Sequence, residues 1–133
     1  MSMASVILRF SRTTTAGDVS FNGDVGGTNE ISSLATVASG TTNLDGGTAG
    51  SPREVNTYRS QSYSGDVAAD GPTSFNGGSL SFGGTTNVTG DASFDALGIQ
   101  GLTRAAHPQY VGSANFTGAV TVAGTAEVVA AEF

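Results

Sequence analysis

The strongest constraint on this chain is a short unit that keeps returning: an aromatic or aliphatic residue, a small polar residue, then glycine. It stands at Phe21-Asn22-Gly23, Leu44-Asp45-Gly46, Tyr63-Ser64-Gly65, Phe75-Asn76-Gly77, Val88-Thr89-Gly90 and Phe116-Thr117-Gly118. A second token is Gly-Asp followed by a small apolar residue, at Gly17-Asp18-Val19, Gly23-Asp24-Val25, Gly65-Asp66-Val67 and Gly90-Asp91-Ala92. The apolar residue closes a strand and points inward. Asn-Gly or Asp-Gly then admits the positive φ angles of a tight turn, and the next strand opens on the small apolar residue. The carboxylates and loop carbonyls of the Gly-Asp tokens also suit calcium. The nonapeptide repeat of calcium β-rolls is missing, however, so the tokens read as structural turns.

Between these turns the pattern has period two. Val6, Leu8 and Phe10 share one face with Arg9 on the other, Val19 and Phe21 flank Ser20, and Leu80 and Phe82 flank Ser81. Strands of about four to six residues follow from this alternation. The segment 29–39 also fits a helical face through Ile31, Leu34, Ala35 and Ala38, but its Thr and Val favour a strand. Gly98 and Gly101 prevent a long helix over 95–106. Segments 49–55, 68–74 and 104–110 read as loops because Gly, Pro and Ser cluster there or a Pro interrupts the pattern. The turn spacing is irregular, whereas a regular solenoid keeps one period. It points to a loose meander, or to short strands supplied to an interwoven oligomer.

Composition narrows the class. The chain has 133 residues, 38% hydrophobic, and its 20 glycines add no side chain to a core. Gly, Ser and Thr together fill about two-fifths of it. Charged residues are only 12%, while Val, Ile, Thr and Phe are spread evenly, which argues against disorder. The expectation is ordered β structure that is short of core volume and gains stability by self-association. Net charge is −6, and the basic residues Arg9, Arg12, Arg53, Arg59 and Arg104 are scattered, so no nucleic-acid surface is expected. With no cysteine, disulfides and thiolate metal sites are excluded. No apolar run approaches membrane-spanning length, and Ser5 to Phe10 is too short for a signal-peptide core. No lysine is present to complete a phosphate-binding loop. No cofactor and no membrane partner are expected.

His107 is the natural candidate for chemistry, but it has no cysteine partner, and the many Ser and Asp residues single out no triad. The simpler reading is a joint at His107-Pro108-Gln109-Tyr110: Pro108 fixes φ and disfavours helix at His107, and Tyr110 packs and hydrogen-bonds at an interface. The competing reading places three copies of His107 around a metal on a trimer axis. Val6, Ile7, Leu8 and Phe10, the most apolar short run, are assigned to attachment by strand addition. Phe21, Phe75, Phe82, Phe94 and Phe116 are assigned to the core. The organisation expected is an anchor strand over 1–16, a Gly/Thr-rich β repeat over 17–100, the joint over 101–110 and a C-terminal β region over 111–133.

These residues carry a likeness. Ala106 to Val111, "AHPQYV", resembles the His-Pro-Gln-Tyr element of fibres and related appendages of tailed bacteriophages. Ser113 to Val122, "SANFTGAVTV", is similar to the strand that often follows it there. Residues 17–90 are also similar to the Thr/Gly-rich repeats of bacterial adhesins that fold as parallel β-helices. The resemblance implies an all-β, elongated, short-stranded fibre or β-helix-like assembly, an interwoven homotrimer. It implies a non-enzymatic structural virion protein, assembled in the host cytoplasm. Such a protein is a fibre or a decoration (cement) protein whose partners are itself and capsid or tail proteins. The length suits a head fibre, decoration or tail accessory protein better than a long fibre with a host-receptor tip. The alternatives are a β-helical fragment of a surface adhesin and a filament-forming subunit.

Overall fold

The computed structural model describes residues 9–13, 17–26, 31, 33–37, 40–45, 47–48, 50–57, 59–96 and 112–130. Its regular elements are fourteen β-strands: β1 (Arg9–Thr13), β2 (Val19–Phe21), β3 (Ser33–Val37), β4 (Thr41–Asp45), β5 (Arg53–Asn56), β6 (Ser60–Tyr63), β7 (Asp66–Asp70), β8 (Thr73–Asn76), β9 (Ser79–Phe82), β10 (Thr86–Val88), β11 (Ala92–Asp95), β12 (Ala114–Phe116), β13 (Val120–Val122) and β14 (Ala126–Val129). They form three sheets, ordered β1-β3-β6-β9-β12, β2-β4-β7-β10-β13 and β5-β8-β11-β14. Every strand pair in them is parallel. The chain visits the three sheets in turn and then repeats, so it is all-β and β-helix-like, five coils high. In the first coil the third face is represented by isolated parallel bridges, Val25 to Val55 of β5 and Ile31 to Thr57 just beyond it.

The sheets assemble within one chain, and the irregular turn spacing has a simple cause. The shortest coil step is nineteen residues, from Ser60 to Ser79. Other steps are longer because more residues lie between consecutive strands: twenty-seven separate Leu34 from Gln61, and thirty-four separate Leu80 from Ala114. Register within the sheets is unaffected. Unequal spacing therefore does not argue against a solenoid, as the sequence reading had it. Segment 29–39 supplies β3, as its Thr and Val favour. Segment 68–74 is not a loop but the end of β7, a Gly71-Pro72 corner and the start of β8. Gly71 takes φ 117°, open to glycine at little cost, and Pro72 directs the chain into the next strand.

Parallel register puts like positions above one another. Inward residues alternate with outward ones, and the inward columns are nearly fully buried: Leu34, Gln61 and Leu80 in the first sheet, Leu44, Ala69 and Val88 in the second, Val55, Phe75 and Phe94 in the third. The strand spacing of about 4.8 Å also suits face-to-face rings. Tyr63, Phe82 and Phe116 stack at 5.0 and 5.1 Å, and Phe75 stacks on Phe94 at 5.2 Å. Edge contacts lace the two stacks together, Phe75 to Phe82 at 5.3 Å and Phe82 to Phe94 at 5.5 Å. Such ring pairs add about 0.5–1.5 kcal/mol each beyond the area they bury.

The interior is not wholly apolar. Thr42 donates its hydroxyl to Thr36 Oγ1 at 3.1 Å. Thr86, in the same inward column as Thr42 and Val67, is 1% exposed, and its hydroxyl has no hydrogen-bond partner. Valine has the same shape without the unpaired hydroxyl, whose burial costs about 1–3 kcal/mol. Thr86→Val is expected to raise stability by about 1 kcal/mol, read as a melting temperature a few degrees higher. A lower melting temperature would mean that the hydroxyl is paired.

Candidate functional site

The side chains with most chemical capacity, the aspartates, are placed at the corners. Asp18 Oδ1 accepts the Thr41 N–H at 2.8 Å, Asp66 Oδ1 accepts that of Thr85 at 2.8 Å, and Asp91 Oδ1 accepts that of Thr125 at 2.8 Å. Asp24 Oδ1 accepts the Glu54 N–H at 3.0 Å and pairs with Arg53 Nη1 at 3.3 Å. In each case the carboxylate of one coil holds a backbone amide of the next. The Gly-Asp tokens are coil-to-coil staples, and of their four glycines only Gly17 takes a positive φ. Among the described residues positive φ occurs only at Gly17, Gly26 and Gly71.

The staples also explain a second dipeptide. The residue before each donor Thr is glycine: Gly40, Gly84 and Gly124. A Cβ at any of them would collide with the carboxylate one coil away, at Asp18, Asp66 and Asp91 respectively. At Asp18, Asp66 and Asp91, Gly-Asp below therefore requires Gly-Thr above, whereas above Asp24 the pair is Arg53-Glu54. Asp91→Ala removes a charge-assisted bond at an exposed corner and is expected to cost about 1 kcal/mol. Gly124→Ala is expected to cost more, and the double variant less than the sum of the two, by thermal or urea denaturation. Strict additivity would show that the carboxylate does not impose the glycine.

Between the second and third coils a polar cluster sits against the aromatic stack. Gln61 is buried; its Nε2 donates to the carbonyls of Val55 and Asn76, each at 2.9 Å, and its Oε1 accepts the Tyr63 hydroxyl at 2.9 Å. Burial pushes the Tyr63 phenol well above its ordinary value of about 10. The folded state thus keeps the neutral form, and that contribution is present below about pH 10 and lost as pH rises above it. Tyr63→Phe is expected to flatten the alkaline loss of stability. At neutral pH it costs about 1–3 kcal/mol, because Gln61 Oε1 is left unpaired. Urea midpoints across the alkaline range check both.

The outer face of the second sheet carries a shallow open groove. Asn43 and Asn87 flank Ala68, with Asp45, Asp70 and Thr89 along one side. Asp45 pairs with Arg53 Nη2 at 3.8 Å, and Asp70 Oδ1 accepts the Thr89 hydroxyl at 3.3 Å. Among the described residues no three His, Cys, Asp or Glu side chains gather as a metal cage.

Of the core residues expected, Phe75, Phe82 and Phe94 are buried, and Phe21 and Phe116 pack half-buried against the same core. Tyr63 closes its strand pointing inward, as its token implies, though it is not among the assigned core residues; sequence reasoning missed Gln61, whose alternation with outward Ser60 and Ser62 carried the signal. Phe10 lies in β1, in register with Leu34; Val6, Ile7 and Leu8 lie outside the described residues. So do His107, Pro108, Gln109 and Tyr110. The flanks of that segment are joined by the Gly112 N–H donating to the Ala96 carbonyl at 3.2 Å. Beyond it, β12, β13 and β14 continue the same three sheets on β9, β10 and β11.

The two ends of the stack differ. Val19, in the first coil, is 4% exposed, whereas Val120 in the last coil of the same sheet is 41% exposed and Val128 38%. Among residues 112–130 the only charged side chain is Glu127. The last coil thus presents an apolar, almost uncharged end. Comparison with protein-family models, curated proteins and solved structures finds no match for this chain.

Proposed function

We propose that this chain is a structural virion protein of a tailed phage, a trimeric fibre or decoration protein attached to capsid or tail, which works by assembly rather than turnover. The observation that carries the reading is the use made of its acidic side chains: Asp18, Asp24, Asp66 and Asp91 are engaged in holding one coil to the next. The phage-like segments "AHPQYV" and "SANFTGAVTV" support it from the sequence side. The apolar end at Val120 and Val128 supports self-association. In this reading Val6 to Phe10 anchor the chain, and His107 to Tyr110 form the joint between the repeat body and the C-terminal strands, with Gln109 and Tyr110 bonding to neighbouring copies. The protein needs no cofactor, and it resides in the virion after assembly in the host cytoplasm.

The parallel solenoid favours a second reading, a β-helical segment of a bacterial surface adhesin, because the sheets close within one chain. Molar mass by light scattering, with co-sedimentation on phage particles, separates the two. A trimer that sediments with capsids or tails is the expected result. A monodisperse monomer with no particle association would overturn the virion reading and leave the adhesin.

A further inference from the structure

We infer that Asn22 is a site of spontaneous deamidation and isoaspartate formation, and that this slow modification loosens the first coil. The chain holds two Asn-Gly pairs among the described residues, Asn22-Gly23 and Asn76-Gly77, and the fold treats them oppositely. Succinimide chemistry needs the backbone nitrogen of the following residue to reach the Asn Cγ. Glycine is the best successor because it has no Cβ to obstruct that approach.

At the first pair nothing restrains the reaction. Asn22 is exposed, and neither its side chain nor the Gly23 N–H has a hydrogen-bond partner. The space beside Gly23 is open. At the second pair both reacting groups are held. Asn76 Nδ2 donates to Asn56 Oδ1 at 2.8 Å, and the Gly77 N–H donates to the Asp95 carbonyl at 2.9 Å. Gly77 is also buried. The related Asp70-Gly71 pair is restrained too, since the Gly71 N–H donates to Thr89 Oγ1 at 2.9 Å. Asn43, Asn56, Asn87 and Asn115 precede Leu44, Thr57, Val88 and Phe116, whose side chains hinder the attack.

The step balances without a co-reactant other than water. The Gly23 nitrogen gives its proton to solvent and bonds to the Asn22 Cγ. The Cγ–Nδ2 bond breaks, and ammonia leaves with a proton from solvent. Water then opens the ring at either carbonyl, leaving aspartate or isoaspartate at position 22. The isoaspartate product adds one methylene to the backbone. It does so just before a corner with several attachments: Asp24 to the Glu54 N–H and Arg53, the Val25 N–H to the Glu54 carbonyl at 2.9 Å, and the Asn56 N–H to the Val25 carbonyl at 2.8 Å. With an extra backbone atom these contacts cannot all keep their register, so the first coil frays from the second while the later coils stand.

The test incubates the folded chain in mildly alkaline buffer at physiological temperature, with peptide mass spectrometry and hydrogen exchange at intervals. Deamidation is expected at Asn22 more than about tenfold faster than at Asn76, which must wait for local opening. In urea the two rates should converge. Exchange should rise over 17–26 as isoaspartate accumulates, but not in Asn22→Gln, nor to the same extent in Asn22→Asp, which changes charge alone. Equal rates at the two pairs in the folded chain, an intact Asn22, or unchanged exchange over 17–26 in the modified chain would overturn the inference.

Discussion

Everything in this fold depends on one constraint: in a parallel stack, each residue lies above its counterpart one coil away. The spacing that strand hydrogen bonding imposes is close to the spacing that flat rings prefer, so backbone pairing and aromatic stacking reinforce each other. Tyr63, Phe82 and Phe116 form one column, Phe75 and Phe94 the other, and their edges interlock. A small chain rich in Gly, Ser and Thr thereby concentrates its large side chains where each touches several others. The same vertical register lets a short carboxylate at a corner reach the next coil's amide, which is why the Asp and Gly-Thr tokens recur together.

The class of the fold was legible because alternation does not depend on how strands pair. Leu80-Ser81-Phe82 announces a strand with a buried face whether its neighbour is parallel or antiparallel. The phenylalanines, as the largest apolar side chains, were bound to fill whatever core existed. Strand direction was not legible in the same way. Asn-Gly and Asp-Gly carry a strong association with tight turns, and Gly77, after Asn76, instead sits where neighbouring atoms approach too closely for a Cβ. Proximity between coils is a property of the assembled stack, invisible in any one dipeptide. The irregular spacing misled for a similar reason: a solenoid needs equal register, not equal coil length, and the segments between strands absorb the difference.

The buried polar side chains illustrate how such an interior sets its own order. Gln61 stands in the column of Leu34 and Leu80, where an aliphatic residue is expected, yet its amide reaches carbonyls of two further strands and a phenol. Sliding the strand by one residue would move Gln61 to solvent and break all three bonds, so the cluster fixes register at the height where the rings begin to stack. Thr86 occupies a comparable column with no partner, the one buried side-chain polar atom among the described residues left in that condition.

The direction of the bonds has a mechanical corollary. Strands run around the stack while the hydrogen bonds between coils run along it, and each coil touches only the coils next to it. A load pressing on the ends is carried by close-packed rings and by three sheets in parallel. A pull on either end of the chain meets only the outermost coil, whose few bonds open before the next coil feels the force. The column is stiff under compression and peels under tension, shedding length in steps of one coil at a time.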